Sequence, residues 1–322
     1  MIKYIIHMPR ERIVFGVHLP VVMFSRRCPD SKEIGEFAER AEEQGFDYIS
    51  VNDHVVFGTG LLDPLTSLAV ATAATSKIRL GTSILNIVVR NPVVAAKAFS
   101  SLDVLSSGRL FAGVGPGSHK PDYDACGIAF EERWPRFTES LEVLRRLWSQ
   151  SPASYRGRFY ALENLVLEPK PIQRPHPPIW IGSWGSDRGL RRVAEYGDGW
   201  MASAYNITPE GFSEKWKRLR LYAEELGKDP DSMGNAVVTM FTYLSQDQEK
   251  ARLAAKNTLA PALGRPLEEL CRLLPFGTSE QCIEKIRRLA EAGVKRVHIW
   301  PVQDELEQME IFSDQVMPQF LA

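Results

Sequence analysis

Residues 77–117 read KIRLGTSILNIVVRNPVVAAKAFSSLDVLSSGRLFAGVGPG. Two short apolar runs, 78–85 and 110–114, flank a stretch at 91–105 with helical spacing. A strand, a helix and a second strand in so few residues form a βαβ unit, because parallel strands need a crossover connection. Asn91-Pro92 supplies an N-cap and a proline at the first helical position, and Ser107-Gly108 ends the helix. Both strands run into small residues, Gly81-Thr82-Ser83 and Gly115-Pro116-Gly117. Such residues let a flat or phosphorylated ligand approach the backbone, although tight turns alone would also explain them.

The same alternation extends outward in both directions. Apolar runs at 13–18, 46–51, 179–182, 199–202, 236–243 and 297–300 add six candidate strands. Between them lie helical patterns. Residues 31–44 place Ile34, Phe37, Ala38 and Ala41 on one face, stopped by Gly45. Further helices are expected from Asp63-Pro64 to Thr75, and at 131–149, 186–196, 208–226, 246–260, 266–273, 278–292 and from 305. Eight strands alternating with helices predict an α/β fold, a closed (β/α)8 TIM barrel. An open doubly wound sheet would expect G-x-G-x-x-G after the first strand, where this chain has His18-Leu19-Pro20. The expected organisation is one domain over 1–322, with an N-terminal extension at 1–12. Insertions fall near 115–130 (a long polar loop), 150–178 (a hairpin, then a proline-rich extended piece) and 245–277.

Composition narrows the function classes. The 322 residues are 44% hydrophobic and 25% charged, with a formal net charge of -1. No basic run suggests nucleic acid, and no apolar run approaches the roughly 20 residues of a membrane span. Cys28, Cys126, Cys271 and Cys282 form no C-x-x-C pair, and the six histidines show no H-x-x-x-H or H-x-H spacing. No metal site is expected, and free thiols fit a cytoplasmic protein.

In a barrel, chemistry lies where the strands end. That selects His18 after the first strand, Asp53 and His54 after the second, and Ser83, Ile84 and Asn86 after the third. Gly115 and Gly117 follow the fourth, the run Gly182, Ser183, Trp184, Gly185 and Ser186 the fifth, and Trp300 the eighth. His54 is the candidate acid or base, since imidazole titrates near neutral pH; a bond from its ring to a loop carbonyl is the competing role. Asp53 can accept a ligand hydrogen bond. The 182–186 turn, joining a strand to a helix start, suits an anion.

Several segments together resemble the bacterial-luciferase-like superfamily over nearly the whole chain. They are Asn52-Asp53-His54, Ile78-Arg79-Leu80-Gly81-Thr82-Ser83, Asn91-Pro92, Leu102-Asp103-Val104-Leu105-Ser106 and Gly108-Arg109-Leu110 with Gly113-Val114-Gly115-Pro116-Gly117. Later come Glu168-Pro169-Lys170-Pro171, Pro177-Pro178-Ile179-Trp180-Ile181-Gly182 and Gly197-Asp198-Gly199-Trp200. The chain looks most like the branch that uses coenzyme F-420, a deazaflavin. That branch commonly has Ser-Asp-His where this chain has Asn52-Asp53-His54, and the flavin branch more often has Glu-His. The resemblance implies a cofactor in the barrel mouth, with His54 near its ring. It also implies a cis peptide at Ser83–Ile84 bulging toward the ring's rear face, and glycine turns at 115–117 and 182–186 beside the ribityl and phosphate groups. His18, Asp122 and Trp300 are the expected substrate contacts, Asp122 near where some relatives place an active-site carboxylate. The implied function is hydride transfer between the deazaflavin and a small organic substrate. A reduced-FMN-dependent monooxygenase and a non-catalytic flavin-binding barrel are the alternatives. A homodimer is expected, and the apolar helices at 63–75 and 91–107 would suit its face, although they could equally be barrel walls facing the strands; light scattering that returned only monomer would end the dimer idea.

Overall fold

A computed structural model describes residues 12–24 and 27–321. Of the expected N-terminal extension only Arg12 falls among them; 1–11, with His7, lie outside the described residues. Eight parallel strands close on themselves: β1 (Val14–His18), β2 (Tyr48–Val51), β3 (Arg79–Thr82), β4 (Leu110–Gly115), β5 (Ile179–Gly182), β6 (Gly199–Ser203), β7 (Gly234–Leu244) and β8 (Arg296–Pro301). Each pairs with the next, and β8 returns to β1 through Val14↔Arg296 and Val17↔Ile299. The barrel predicted from the alternation of strands and helices is the observed architecture.

The interior is set by strand alternation. In β1, Phe15 and Val17 face outward into the layer between barrel and helices, with Phe15 edge-on to Phe312 at 5.4 Å. Val14 and Gly16 face inward. Tyr48, Phe111, Trp180, Met201, Ala236 and Val238 form the interior cluster, flanked by Val14 and Ile84. Glycines on neighbouring strands make room for the large rings. A Cβ on Gly16 would lie 2.8 Å from the His298 ring, and one on Gly199 2.6 Å from Trp180. Large and small residues therefore interdigitate in a filled core rather than a pore.

Local chemistry sets the helix starts. In α1 (Ser31–Glu43) Asp30 accepts from the Glu33 amide at 2.9 Å and Glu33 reaches back to the Asp30 amide at 3.0 Å, a capping box. α2 (Pro64–Ala74) is capped by Asp63 and α3 (Pro92–Leu105) by Asn91, each with proline in the first turn. The described residues contain no helix long and apolar enough to cross a membrane.

Four local expectations are corrected. The strand expected over 78–85 stops at Thr82; the Ser83–Ile84 peptide is cis, and Leu85–Asn86 pair separately with Val114 and Gly115 of β4. The loop expected over 115–130 carries a short helix, α4 (Lys120–Ala125). The helix expected from 131 starts as a 3-10 turn, Phe130–Glu132, before α5 (Arg133–Ser149). The helix expected over 246–260 is α-helical at Gln248–Ala254, π-helical at Ala255–Leu259 and α-helical again at Ala260–Leu263. β7 runs from Gly234 to Leu244, interrupted by a register shift between Val237 and Met240 where Thr239 takes φ 54°. Such a bulge bends a strand and re-aims its side chains, here at the barrel mouth. The hairpin after α5 pairs Ala153–Arg156 with Ala161–Leu165.

Candidate functional site

The strands end at one face of the barrel, and the polar groups there fall into distinct arrangements. The first is built on the end of β2. His54 Nδ1 lies 2.8 Å from Asp122 Oδ2, an oxygen brought in by α4 from 68 residues away. The other oxygen, Oδ1, accepts the amides of Val55 and Val56, both at 2.9 Å. Burial works to raise the Asp122 carboxyl pKa, but the His54 bond and the two amides outweigh it and the net shift is downward. Asp122 is therefore an ionised acceptor, so His54 Nδ1 is the donor and Nε2 carries the lone pair of the neutral ring. Among the described residues no hydrogen bond reaches Nε2. The ring is stacked on Phe57 at 4.6 Å and edge-on to His119 at 5.2 Å, with 24% of the His54 side chain exposed. This constellation gives Asp122 a different role from the expected substrate contact: it is buried behind His54 and orients it.

Asp53 is likewise redirected. Its side chain is fully buried and accepts from Arg90 Nη2 at 2.7 Å, Arg90 Nε at 3.1 Å and the Asn86 amide at 3.0 Å. Arg90 also bonds Asp63 at 2.8 Å. The carboxylate expected to meet a ligand thus ties the end of β2 to the Ser83–Asn86 bulge. Burial pushes the Asp53 carboxyl upward, opposed by Arg90.

The bulge supplies an apolar floor. Ile84 lies across the ends of β4 and β5, where a Cβ on Gly115 would collide with its Cδ1 and one on Gly182 would come within 2.8 Å of its Cγ2. Gly117, at φ 67°, packs against the Asn86 amide. On the inner side of β2, Ser50 Oγ and Asn52 Oδ1 are buried without a hydrogen-bond partner among the described residues. A floor of one aliphatic side chain over bare glycine backbone, with unsatisfied polar atoms at the end of β2, fits a planar heteroaromatic group with a polar edge.

The turn at 182–186 sits at the start of α6 (Asp187–Tyr196). Ser183 Oγ accepts from the Gly185 amide at 3.2 Å, and Ser186 Oγ caps α6 through Gly189 at 3.3 Å. Among the described residues neither hydroxyl donates a hydrogen bond. Gly185 takes φ 83° with Lys215 folded against it, and Trp184 stands exposed.

The first-strand histidine behaves otherwise. His18 Nδ1 donates to Leu19 O at 2.6 Å, and Nε2 accepts the Asn52 amide at 2.9 Å. Its ring stacks on Trp300 at 3.5 Å. Burial pulls its pKa down to about 3, so it is neutral. The expectation of a substrate contact at His18 is corrected: both nitrogens are engaged by the backbone and the ring is buried. Trp300 is buried beside it, against Phe241 at 4.6 Å.

Sequence reasoning passed over Arg90 and the orienting role of Asp122. Pro121 and Asp122 in the opening turn of a KPDYDA run were the only local signal of α4.

Fold and site together define a TIM barrel with a carboxylate-bonded histidine just past the end of its second strand. Residues 15–267 match the Luciferase-like monooxygenase family, and the chain belongs to it. Uncharacterized proteins of Mycobacterium tuberculosis and Mycobacterium bovis are 36% identical over 146 residues; that match takes in 45% of this chain and about half, 51%, of their length. The F420-dependent hydroxymycolic acid dehydrogenase of Mycobacterium tuberculosis is 27% identical over 305 residues, covering 88% of this chain and 82% of the relative. Among solved structures, an F420-dependent secondary alcohol dehydrogenase in complex with an F420-acetone adduct superposes with a TM-score of 0.84 at 22% identity, covering 95% of this chain and 98% of that one. At that identity the likeness speaks for the fold.

Proposed function

We propose that this protein is an oxidoreductase that moves a hydride between coenzyme F-420 and a small organic substrate, with His54 handling the proton. The observation that carries the reading is the 2.8 Å bond from His54 Nδ1 to ionised Asp122, which leaves Nε2 unbonded at the barrel mouth. The likeness to F420-dependent relatives supports the choice of cofactor.

Ile84, Gly115 and Gly182 would hold the ring, and the 182–186 turn with Lys215 would receive an anionic tail. When bound, the deazaflavin supplies a two-electron hydride carrier. The chain supplies position and a proton path. With an alcohol, neutral His54 takes the hydroxyl proton at Nε2 as the carbonyl forms. With a carbonyl compound, protonated His54 returns a proton from Nε2 to the oxygen. Asp122 holds the same tautomer in both directions and stabilises the ring while it is charged. Phe57 and His119 fix the ring plane, so that Nε2 points one way.

Fluorescence titration with F-420 and, separately, with FMN, each oxidised and reduced, tests the proposal. Tight binding of F-420 alone is expected. A preference for FMN would replace the reading with that of a reduced-FMN monooxygenase, and binding without turnover of any alcohol or ketone would leave a non-catalytic barrel.

A further inference from the structure

We infer that the substrate half of the mouth takes an uncharged alcohol or carbonyl compound carrying an apolar arm, and turns away phosphorylated and carboxylated compounds. The inference rests on the oxidoreductase reading only for where the reacting carbon lies; the surface chemistry stands apart from it.

The wall beside His54 is apolar and held in place. Asp122 fixes the amides of Val55 and Val56, and their side chains remain 45% and 40% exposed directly after the histidine. Phe57 continues the surface against the imidazole face. The segment after β1 is zipped to this loop: the Met23 amide donates to Gly60 O at 2.9 Å, the Leu62 amide donates to Val21 O at 3.2 Å, and the Met23 thioether packs on Gly60. From there the band runs through Phe24, 6.1 Å from Trp300 and 6.4 Å from Phe241, to Tyr205, 5.9 Å from Phe241. Exposed valines on a rigid loop beside a proton-transfer group are a poor outcome for stability alone, and a good one for receiving an alkyl or aryl chain.

Charge points the same way. Among the described residues, the cations that border this wall are already engaged. Arg90 is held by Asp53 and Asp63, Lys120 by Asp124 at 2.6 Å, and Arg27 by Glu33 at 3.0 Å. Arg133 lies over the Phe130 ring at 3.9 Å and donates to Phe130 O, and Arg265 is taken up by Tyr205 O, Asn206 and Glu269. An anionic group brought against Val55 and Val56 would lose its hydration and gain no partner. By contrast Lys215, at the turn after β5, has no ion pair among the described residues. The mouth is thus divided, with an available cation on the strand-five side and an uncharged wall on the strand-one and strand-two side.

The test uses the full chain, alone and with F-420, and a homologous series of probes: 2-butanone, 2-hexanone and 2-octanone, with glucose 6-phosphate as the charged comparison. Binding is followed by saturation-transfer NMR. Affinity should rise about fourfold per added methylene, and glucose 6-phosphate should not displace 2-octanone. Val56→Asp should weaken 2-octanone at least tenfold, and Val55→Asp gives a second, independently folded check, both verified by thermal unfolding. A flat series, glucose 6-phosphate binding as tightly as 2-octanone, or an unchanged series in both variants would overturn the inference. A rising series with no reduction of F-420 by 2-octanol would uphold the apolar site and remove the oxidoreductase reading.

Discussion

His18 and His54 close, or directly follow, adjacent strands of one barrel, and their environments are opposite. His18 is buried, stacked on Trp300, and bonded through both nitrogens to backbone groups. His54 is bonded through one nitrogen to a carboxylate and keeps the other at the mouth. Two imidazoles a strand apart thus separate into a structural part and a chemical one. What divides them is the partner: a backbone amide fills His18 Nε2, whereas nothing described fills His54 Nε2. A histidine at a strand end is evidence of position, and its unbonded nitrogen is the evidence of chemistry.

Exchanging each residue should break the pair cleanly. His54→Ala should lower turnover roughly 10²–10⁴-fold, the usual range for a general acid or base, with F-420 affinity nearly unchanged. His18→Asn should do the reverse. It strands the Asn52 amide and Leu19 O, costing about 1–3 kcal/mol of stability, and it should spare turnover in the folded protein. Steady-state kinetics and chemical denaturation of both variants decide the matter. Turnover retained in His54→Ala would remove the histidine from the mechanism.

The barrel was legible because its signals are local. Apolar runs bounded by glycine or proline, and caps such as Asn91-Pro92 and Thr278 with Gln281, need only a few neighbouring residues to be read. The strand-end positions of His54, Ile84 and Gly182 follow from that periodicity. The partnerships do not, because they are long-range. Asp122 reaches His54 across 68 residues from a helix of six, and Arg90 reaches Asp53 across 37. Asp53 and His54 are consecutive and so look like one ligand-facing pair, but one side chain turns into the Arg90 pocket and the other toward the mouth. His18 misled for the same reason: only the packing of Trp300, from the far end of the chain, shows that its ring is enclosed.

Asp122→Asn sharpens the comparison from the carboxylate side. The amide oxygen can still accept both valine N–H groups, but its own donor favours the other His54 tautomer, with the proton on Nε2. That ring cannot take a proton there while neutral. Alcohol oxidation should fall about 10–100-fold, as when an orienting partner is lost elsewhere, and carbonyl reduction should fall less. Stability gives a second readout. A carboxyl whose pKa is lowered by folding binds fewer protons folded than unfolded between the two values. Its contribution is complete above the ordinary aspartate range near about 4 and is lost as pH falls through the lowered value. The stability gap between wild type and Asp122→Asn should therefore narrow only in acid. Equal losses in both reaction directions would show that Asp122 supports the loop without setting the tautomer.

The smallest effect concerns the enclosed histidines. Burial lowers the pKa of both His18 and His298 from 6.5 to about 3, and His298 Nδ1 has no hydrogen-bond partner among the described residues. Each is neutral in the fold and becomes charged in the unfolded chain as pH falls below about 6.5. In that window the unfolded state binds more protons, so acid favours unfolding, by roughly 1.4 kcal/mol per pH unit for each ring. His298→Asn removes one titrating group. Its stability, measured by urea denaturation between pH 6.5 and 4.5, should fall less steeply than wild type by about that amount per unit, even though its stability at neutral pH is lower. A wild-type slope in His298→Asn would mean that water or a neighbouring group accommodates the charge inside the barrel, and the division between enclosed and poised histidines would then rest on His18 alone.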